Sequence, residues 1–84
     1  MIFVFKSTVQ VTQEELQKLI GKNIRDIREQ KSMSAQELAH TCNFEKSNMS
    51  RLESGNTNPT IWTLYKISQA LEVPLEEIVS SRDT

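Results

Sequence analysis

Residues 44–60 read FEKSNMSRLESGNTNPT and hold only three apolar side chains, Phe44, Met49 and Leu52, in seventeen positions. The segments on either side are strongly apolar. So polar a stretch stays folded only if its few apolar residues seat it on a core built by its neighbours, and its polar side then faces something else. At about 100° per residue, Lys46, Ser47, Ser50, Arg51 and Ser54 share one arc of a helix, while Met49, Leu52 and Glu53 share the other. The helix is expected from about Glu45 to Ser54, stopping at Gly55, which is free to take the left-handed turn that ends helices. Its outward side chains are short donors and acceptors flanked by two cations. Such a set suits base edges and phosphates in a major groove about 12 Å wide. The plainer reading is an ordinary solvated helix face.

The flanking segments supply the frame. Upstream, Ser34 and Glu37 form an S-x-x-E capping box with Met33 and Leu38 at the staple positions, which predicts a helix with Leu38 and Ala39 inward, ending near Thr41. Asn43 tolerates the left-handed conformation of a tight turn. Thr12 and Glu15 repeat the box, with Val11 and Leu16 as staple residues, and begin a first helix that reaches about residue 31. Its buried stripe is Leu16, Leu19, Ile20, Ile24 and Ile27, interrupted by Gly21, which costs about 1 kcal/mol against alanine. Residues 2–11 alternate with period two, predicting a strand or two short ones. Downstream, NTNP is a loop, Thr60 caps a fourth helix with Ile61, Leu64, Ile67 and Leu71 inward, and a short fifth helix starts at Pro74 with Leu75 and Ile78 inward. The expected organisation is an N-terminal extension over 1–11, a helical domain over 12–79 and a flexible tail over 80–84.

The bulk numbers narrow the function. Eighty-four residues build one core. Ten Lys and Arg against eleven Asp and Glu give a net charge of -1, so any anion-binding surface is local. The lone Cys42 closes no disulfide, and no export signal or membrane-length apolar run is present, which points to a soluble cytoplasmic protein. His40 and Cys42 provide neither a metal ligand set nor an activated nucleophile, and are expected as a solvent-facing histidine and a semi-buried thiol. With two glycines there is no glycine-rich phosphate loop. No catalytic residue, metal or cofactor is expected, and the chain is not read as an enzyme.

The segment MSAQELAHTCNFEKSNMSRLESGNTNPTIWTLYKISQALEVPLEEI resembles the DNA-binding domain of the phage Cro and repressor type, the Xre-type helix-turn-helix family. The most specific parts are Ser34, Glu37-Leu38-Ala39, Ser50-x-x-Glu53-x-Gly55-x-x-x-Pro59 and Leu64-x-x-Ile67-x-x-Ala70-Leu71-x-Val73. The resemblance implies an all-α, five-helix lambda-repressor-like fold, here with a short N-terminal β-like arm, and sequence-specific binding of double-stranded DNA by a transcriptional regulator, a repressor in this reading because so small a domain has little room to contact polymerase. By the same resemblance Lys46, Ser47 and Arg51 read bases, Asn48 and Ser50 assist at bases or phosphates, and Arg51 is the expected guanine reader, its planar fork pairing two acceptors. Backbone N–H groups at the starts of the second and fourth helices and in the Asn56 to Asn58 loop hold phosphates. Glu53 pairs with an arginine of the first helix, here Arg28, as a structural ion pair.

The chain also departs from that pattern. Ala35 stands where a phosphate-binding glutamine is common, and Gln36 comes one place later; Asn43 replaces the usual turn glycine; Glu45 leads the recognition helix, and the Asn56 to Asn58 loop has no basic residue. Palindromic operators are read by two-fold dimers, so a homodimer is expected, joined by the arm pairing with its copy and by an aromatic patch of Trp62 and Tyr65. Against this stand an arm that is a hairpin packed on its own subunit or a frayed tail, and aromatics partly packed against the first helix or arm. The alternative function is a protein-interaction module, such as the antitoxin of a toxin-antitoxin pair.

Overall fold

The computed structural model describes residues 11–81, and among these the architecture is helical: α1 (Gln13–Gln30), α2 (Ala35–Thr41), α3 (Lys46–Glu53), α4 (Ile61–Leu71) and α5 (Leu75–Val79). The predicted strand over 2–11 lies outside the described residues except for Val11, which takes part in no strand; the arm's proposed role in dimerisation falls there too, as do residues 82–84 of the tail.

Both capping boxes close. The Glu15 amide donates to Thr12 Oγ1 at 3.1 Å and the Thr12 amide to Glu15 Oε1 at 2.9 Å; the Glu37 amide donates to Ser34 Oγ at 3.0 Å and the Ser34 amide to Glu37 Oε1 at 2.8 Å. Thr60 caps α4 by accepting from the Thr63 amide at 3.1 Å. Each box satisfies donors that a helix start otherwise leaves open. The four longer helices end alike, each with a residue in the left-handed region: Ser32, Asn43, Gly55 and Glu72, at φ of 56°, 61°, 79° and 61°. In each, the next amide reaches back to close the end; Phe44 donates to the Ala39 carbonyl at 2.8 Å and Asn56 to the Arg51 carbonyl at 2.9 Å.

The core draws Ile20, Ile24 and Ile27 from α1, Leu38 and Ala39 from α2, Met49 and Leu52 from α3, Leu64, Ile67 and Leu71 from α4 and Ile78 from α5. α1 is the central post, with α2, α3, α4 and α5 all packed on it. Asn23, fully buried on α1, donates to the Ile78 and Ser80 carbonyls at 2.9 and 2.7 Å and so ties down the end of α5; its Oδ1 is buried with no partner among the described residues.

Several expectations need correction. The Val11–Leu16 staple is open, with Val11 54% and Leu16 39% exposed, and Leu19 is only half-buried. Ile61 is 73% exposed, because it is the first residue of α4 and the inner stripe begins at Leu64. Cys42 is fully buried rather than semi-buried: it caps the end of α2 with Sγ 3.9 Å from the Lys66 carbonyl. Pro74 is the residue before α5, not part of its first turn, and Glu45 and Ser54 flank α3 as its caps.

Gly21 does not break α1. It lies where the last turn of α3 crosses, and a Cβ there would come within 2.5 Å of both the Leu52 and Glu53 carbonyl oxygens. Only a residue without a side chain admits that approach. Gly21→Ala is therefore expected to destabilise the fold by about 1–3 kcal/mol through overpacking, despite gaining about 1 kcal/mol in helix propensity. Urea unfolding of the two proteins checks this, and an alanine variant as stable as the parent contradicts it.

Candidate nucleic-acid interface

The candidate surface is built on α2, the turn 42–45 and α3. Phe44 sits half-buried in the turn, packed against the core, with Lys66 Nζ 4.8 Å above its ring centre, so the turn is held from the α4 side. α3 has no side-chain cap, and its own residues favour helix weakly; its position comes from what lies beneath it. Met49 and Leu52 are buried in the core and Glu53 is buried beside them.

Glu53 is where α1 grips α3. The Arg28 guanidinium forks onto it, Nε to Oε2 at 2.7 Å and Nη2 to Oε1 at 3.0 Å, while Nη1 donates to the Met33 carbonyl at 2.9 Å. One side chain thus joins α1, α3 and the segment leading into α2. Arg25 Nε lies 3.8 Å from the same carboxylate. The hydrogen bond to Glu53 holds the Arg28 guanidinium above its ordinary pKa, and the charges of Glu53 and Glu29 add to this, against burial. The arrangement is charge-assisted and bidentate, the strong form of such a contact. A second tie joins the same two regions, since Gln17 Nε2 donates to the Gly55 carbonyl at 3.2 Å.

With its inner side fixed, α3 presents Lys46, Ser47, Asn48, Ser50 and Arg51 to solvent, all five exposed. Arg51 Nη1 lies 3.5 Å from Asn48 Oδ1, a long contact that leaves the rest of the guanidinium fork open. Gln36, exposed at the start of α2, lies with Lys46 on one groove floored by Ala39 and Phe44. Asn58 and Asn48 border a second groove between α3 and the 56–60 loop; Asn56 is exposed on that loop but lines neither groove. All eight residues singled out for DNA are therefore at the surface, spread over α2, α3 and the loop after it. Burial pushes the Cys42 thiol up from its ordinary pKa, with nearby Lys66 acting the other way, so it stays a protonated core residue at neutral pH.

Gly21 and Asn23, which set the positions of α3 and α5, escaped the reading from sequence. Gly21 carried a signal, an isolated glycine inside an apolar helical pattern, which often marks close backbone approach. Asn23 carried a weaker one, a polar residue three places after Ile20 on the buried face.

Removing one member of the Arg28–Glu53 pair leaves the other buried and uncompensated. Glu53→Ala is expected to cost about 3–5 kcal/mol, and the isosteric Glu53→Gln to recover only part of it. Thermal or urea melts measure both; a loss under about 1 kcal/mol for the alanine variant would show that the pair does not hold α3 in place.

Comparison with known proteins agrees with this geometry. A family model described as helix-turn-helix matches residues 24–78, from the middle of α1 to the end of α5. An uncharacterised HTH-type transcriptional regulator, y4dJ of Sinorhizobium fredii, is 36% identical over 69 residues, covering 82% of this chain and 90% of the relative. The HTH-type transcriptional regulator SutR of Escherichia coli is 28% identical over 67 residues, and there the match takes in 80% of this chain but only 38% of the longer protein. Among solved structures, the biofilm regulator SinR in complex with DNA superposes with a TM-score of 0.68 at 35% identity, over 73% of this chain and 98% of that one. The chain belongs to the helix-turn-helix family.

Proposed function

We propose that the protein is a sequence-specific, double-stranded-DNA-binding transcriptional regulator that inserts α3 into the major groove and acts as a repressor by occupying its site. The observation that carries the reading is the two-sidedness of α3: an inner edge of Met49, Leu52 and a clamped Glu53, and an outer edge of Lys46, Ser47, Asn48, Ser50 and Arg51 with nothing of its own chain over them among the described residues. The likeness to SinR, solved with DNA, supports the same docking. The protein-interaction alternative finds no support in the relatives described above.

In this reading Arg51 pairs two acceptors of a guanine, Ser47 and Asn48 contact neighbouring bases with Ser50 beside them, and Lys46, the first residue of α3 and on the groove shared with Gln36, takes a phosphate instead of the base that the resemblance implies. Gln36 at the start of α2, and Asn56, Asn58 and the free amides at the start of α4, set the register on the backbone. Two copies read a two-fold site with their recognition helices about 34 Å apart. The stacked Trp62 and Tyr65 rings, 5.6 Å between centroids and both exposed, offer the surface through which the copies meet.

Selection from random duplexes tests the proposal: a reproducible inverted-repeat motif is expected, and absence of any enriched motif overturns it. On the selected site, Arg51→Ala is expected to relax preference at one base pair per half-site by about 1–3 kcal/mol, whereas Lys46→Ala weakens binding to all sequences alike. Competition binding against single-base variants of the motif separates the two outcomes.

The salt dependence follows from charge. Glu45 is exposed at the head of α3 and repels phosphate, and the 56–58 loop is uncharged. Counting Lys46 and Arg51 from each of two copies at about −0.9 per contact, the slope of log K against log salt is expected to be no steeper than about −4. A salt titration giving a much steeper slope would mean that further cations touch the duplex.

A further inference from the structure

Three positions that helical periodicity or the staple rule marks as inward are instead exposed: Val11, Leu16 and Ile61. They are not scattered. Leu16 and Ile61 line one groove, together with Ile20, Leu64 and the exposed Val79, and Val11 sits just upstream of its α1 wall. The groove lies between the start of α1, the start of α4 and the end of α5, on residues that the proposed DNA-reading set shares only at Asn58. Its lining is overwhelmingly apolar and its volume is about 250 Å³, below the usual range of small-molecule pockets and of a size for side chains.

We infer that this groove is the seat of the chain's own residues 1–10, with Phe3 and Phe5 entering it from the same molecule. Residues 2–5 read IFVF, an apolar run followed by the polar KST of residues 6–8, and the run joins the described chain at Val11, directly before the groove's α1 wall. That wall, from Gln13 to Ile20, rises about 10 Å along the helix. Phe5 is six residues from Val11 and Phe3 eight, tethers of at most about 22 and 29 Å when extended, long enough to turn back at the polar residues and lie along the groove. A segment tied at the rim faces the groove at millimolar effective concentration, about a thousandfold above what a second copy offers at micromolar protein. The occupant is therefore the segment's own molecule. Closure in this way covers Leu16, Ile61 and Val79, and leaves the Trp62–Tyr65 face and α3 free for a partner subunit and DNA.

The test uses the full chain with paired cysteines and a bis-maleimide spanning about 10 Å, the native Cys42 being buried and slow to react. One protein carries Ile2→Cys and Ser80→Cys, beside the groove. The control carries Ile2→Cys and Glu29→Cys, at the far end of α1. A link within one chain is expected in the first protein at about tenfold or more the yield of the control, and it should disappear when Phe3→Asp and Phe5→Asp are added, with circular dichroism showing the helices intact. Equal yields in the two pairs, indifference to the aspartates, or a link formed only between two chains overturns the proposal; the last would place the segment in a second copy's groove.

Discussion

The fork of Arg28 on Glu53 is the constraint around which the surface is organised. α3 is eight residues long, polar on most of its circumference and without a side-chain cap, so little in its own sequence keeps it helical or in place. Two buried apolar residues would let it roll and slide. A buried carboxylate held by two nitrogens of a guanidinium that also binds the Met33 carbonyl fixes rotation and translation together, because the planar fork accepts only one orientation. Gly21 completes the seat from below, allowing the last carbonyls of α3 to rest almost on the α1 backbone. The helix that carries Lys46, Ser47 and Arg51 is thus set by contacts on its opposite side.

The loops obey a similar economy. Each of the longer helices stops at a left-handed residue followed by an amide that closes the last turn, and only one of the four is glycine. Ser32, Asn43 and Glu72 take this conformation at a cost of about 1–2 kcal/mol relative to a relaxed backbone, so packing after each turn must hold them there. Met33, Phe44 and Val73, the residues that follow, are all packed against the core. The apolar residue after the turn pins the chain, and the strained residue before it follows. The spacing between α2 and α3, on which a helix-turn-helix depends, is set by Asn43 and Phe44 in this way.

Local devices were legible in the sequence because they are chemically specific within a few residues. Both capping boxes, Thr60, the left-handed Asn43 and Gly55, and the division of α3 into Met49, Leu52 and Glu53 against its polar arc stand where composition and spacing place them. The Arg28–Glu53 contact was legible only through resemblance, since nothing local to either residue names a partner 25 positions away. Gly21, Asn23 and the left-handed Glu72 owe their roles to distant carbonyls or to packing, which periodicity does not report. Periodicity also says which face of a helix is apolar without saying whether anything covers it. Leu16 and Ile61 lie at the outer ends of α1 and α4, where an apolar stripe outruns the core beneath it.

A chain of net charge -1 that is to bind a polyanion, as proposed, has to manage where its cations go. On α1 they are spent internally: Lys18 lies 3.6 Å from Glu14, Lys22 donates to Asp26 at 2.8 Å, and Arg25 and Arg28 both face Glu53. On α3 they are not. Lys46 and Arg51 form no ion pair with any carboxylate among the described residues, and Arg51 is steadied only by a long contact to Asn48. A strongly basic protein gains affinity for any duplex, and its specific sites then compete with a large nonspecific background. Here the few unpaired cations stand on the same rigid arc as the hydrogen-bonding side chains Ser47, Asn48 and Ser50. Under the proposed docking, charge and readout would be coupled by that geometry, and a modest cation count would keep nonspecific binding low relative to the correct site.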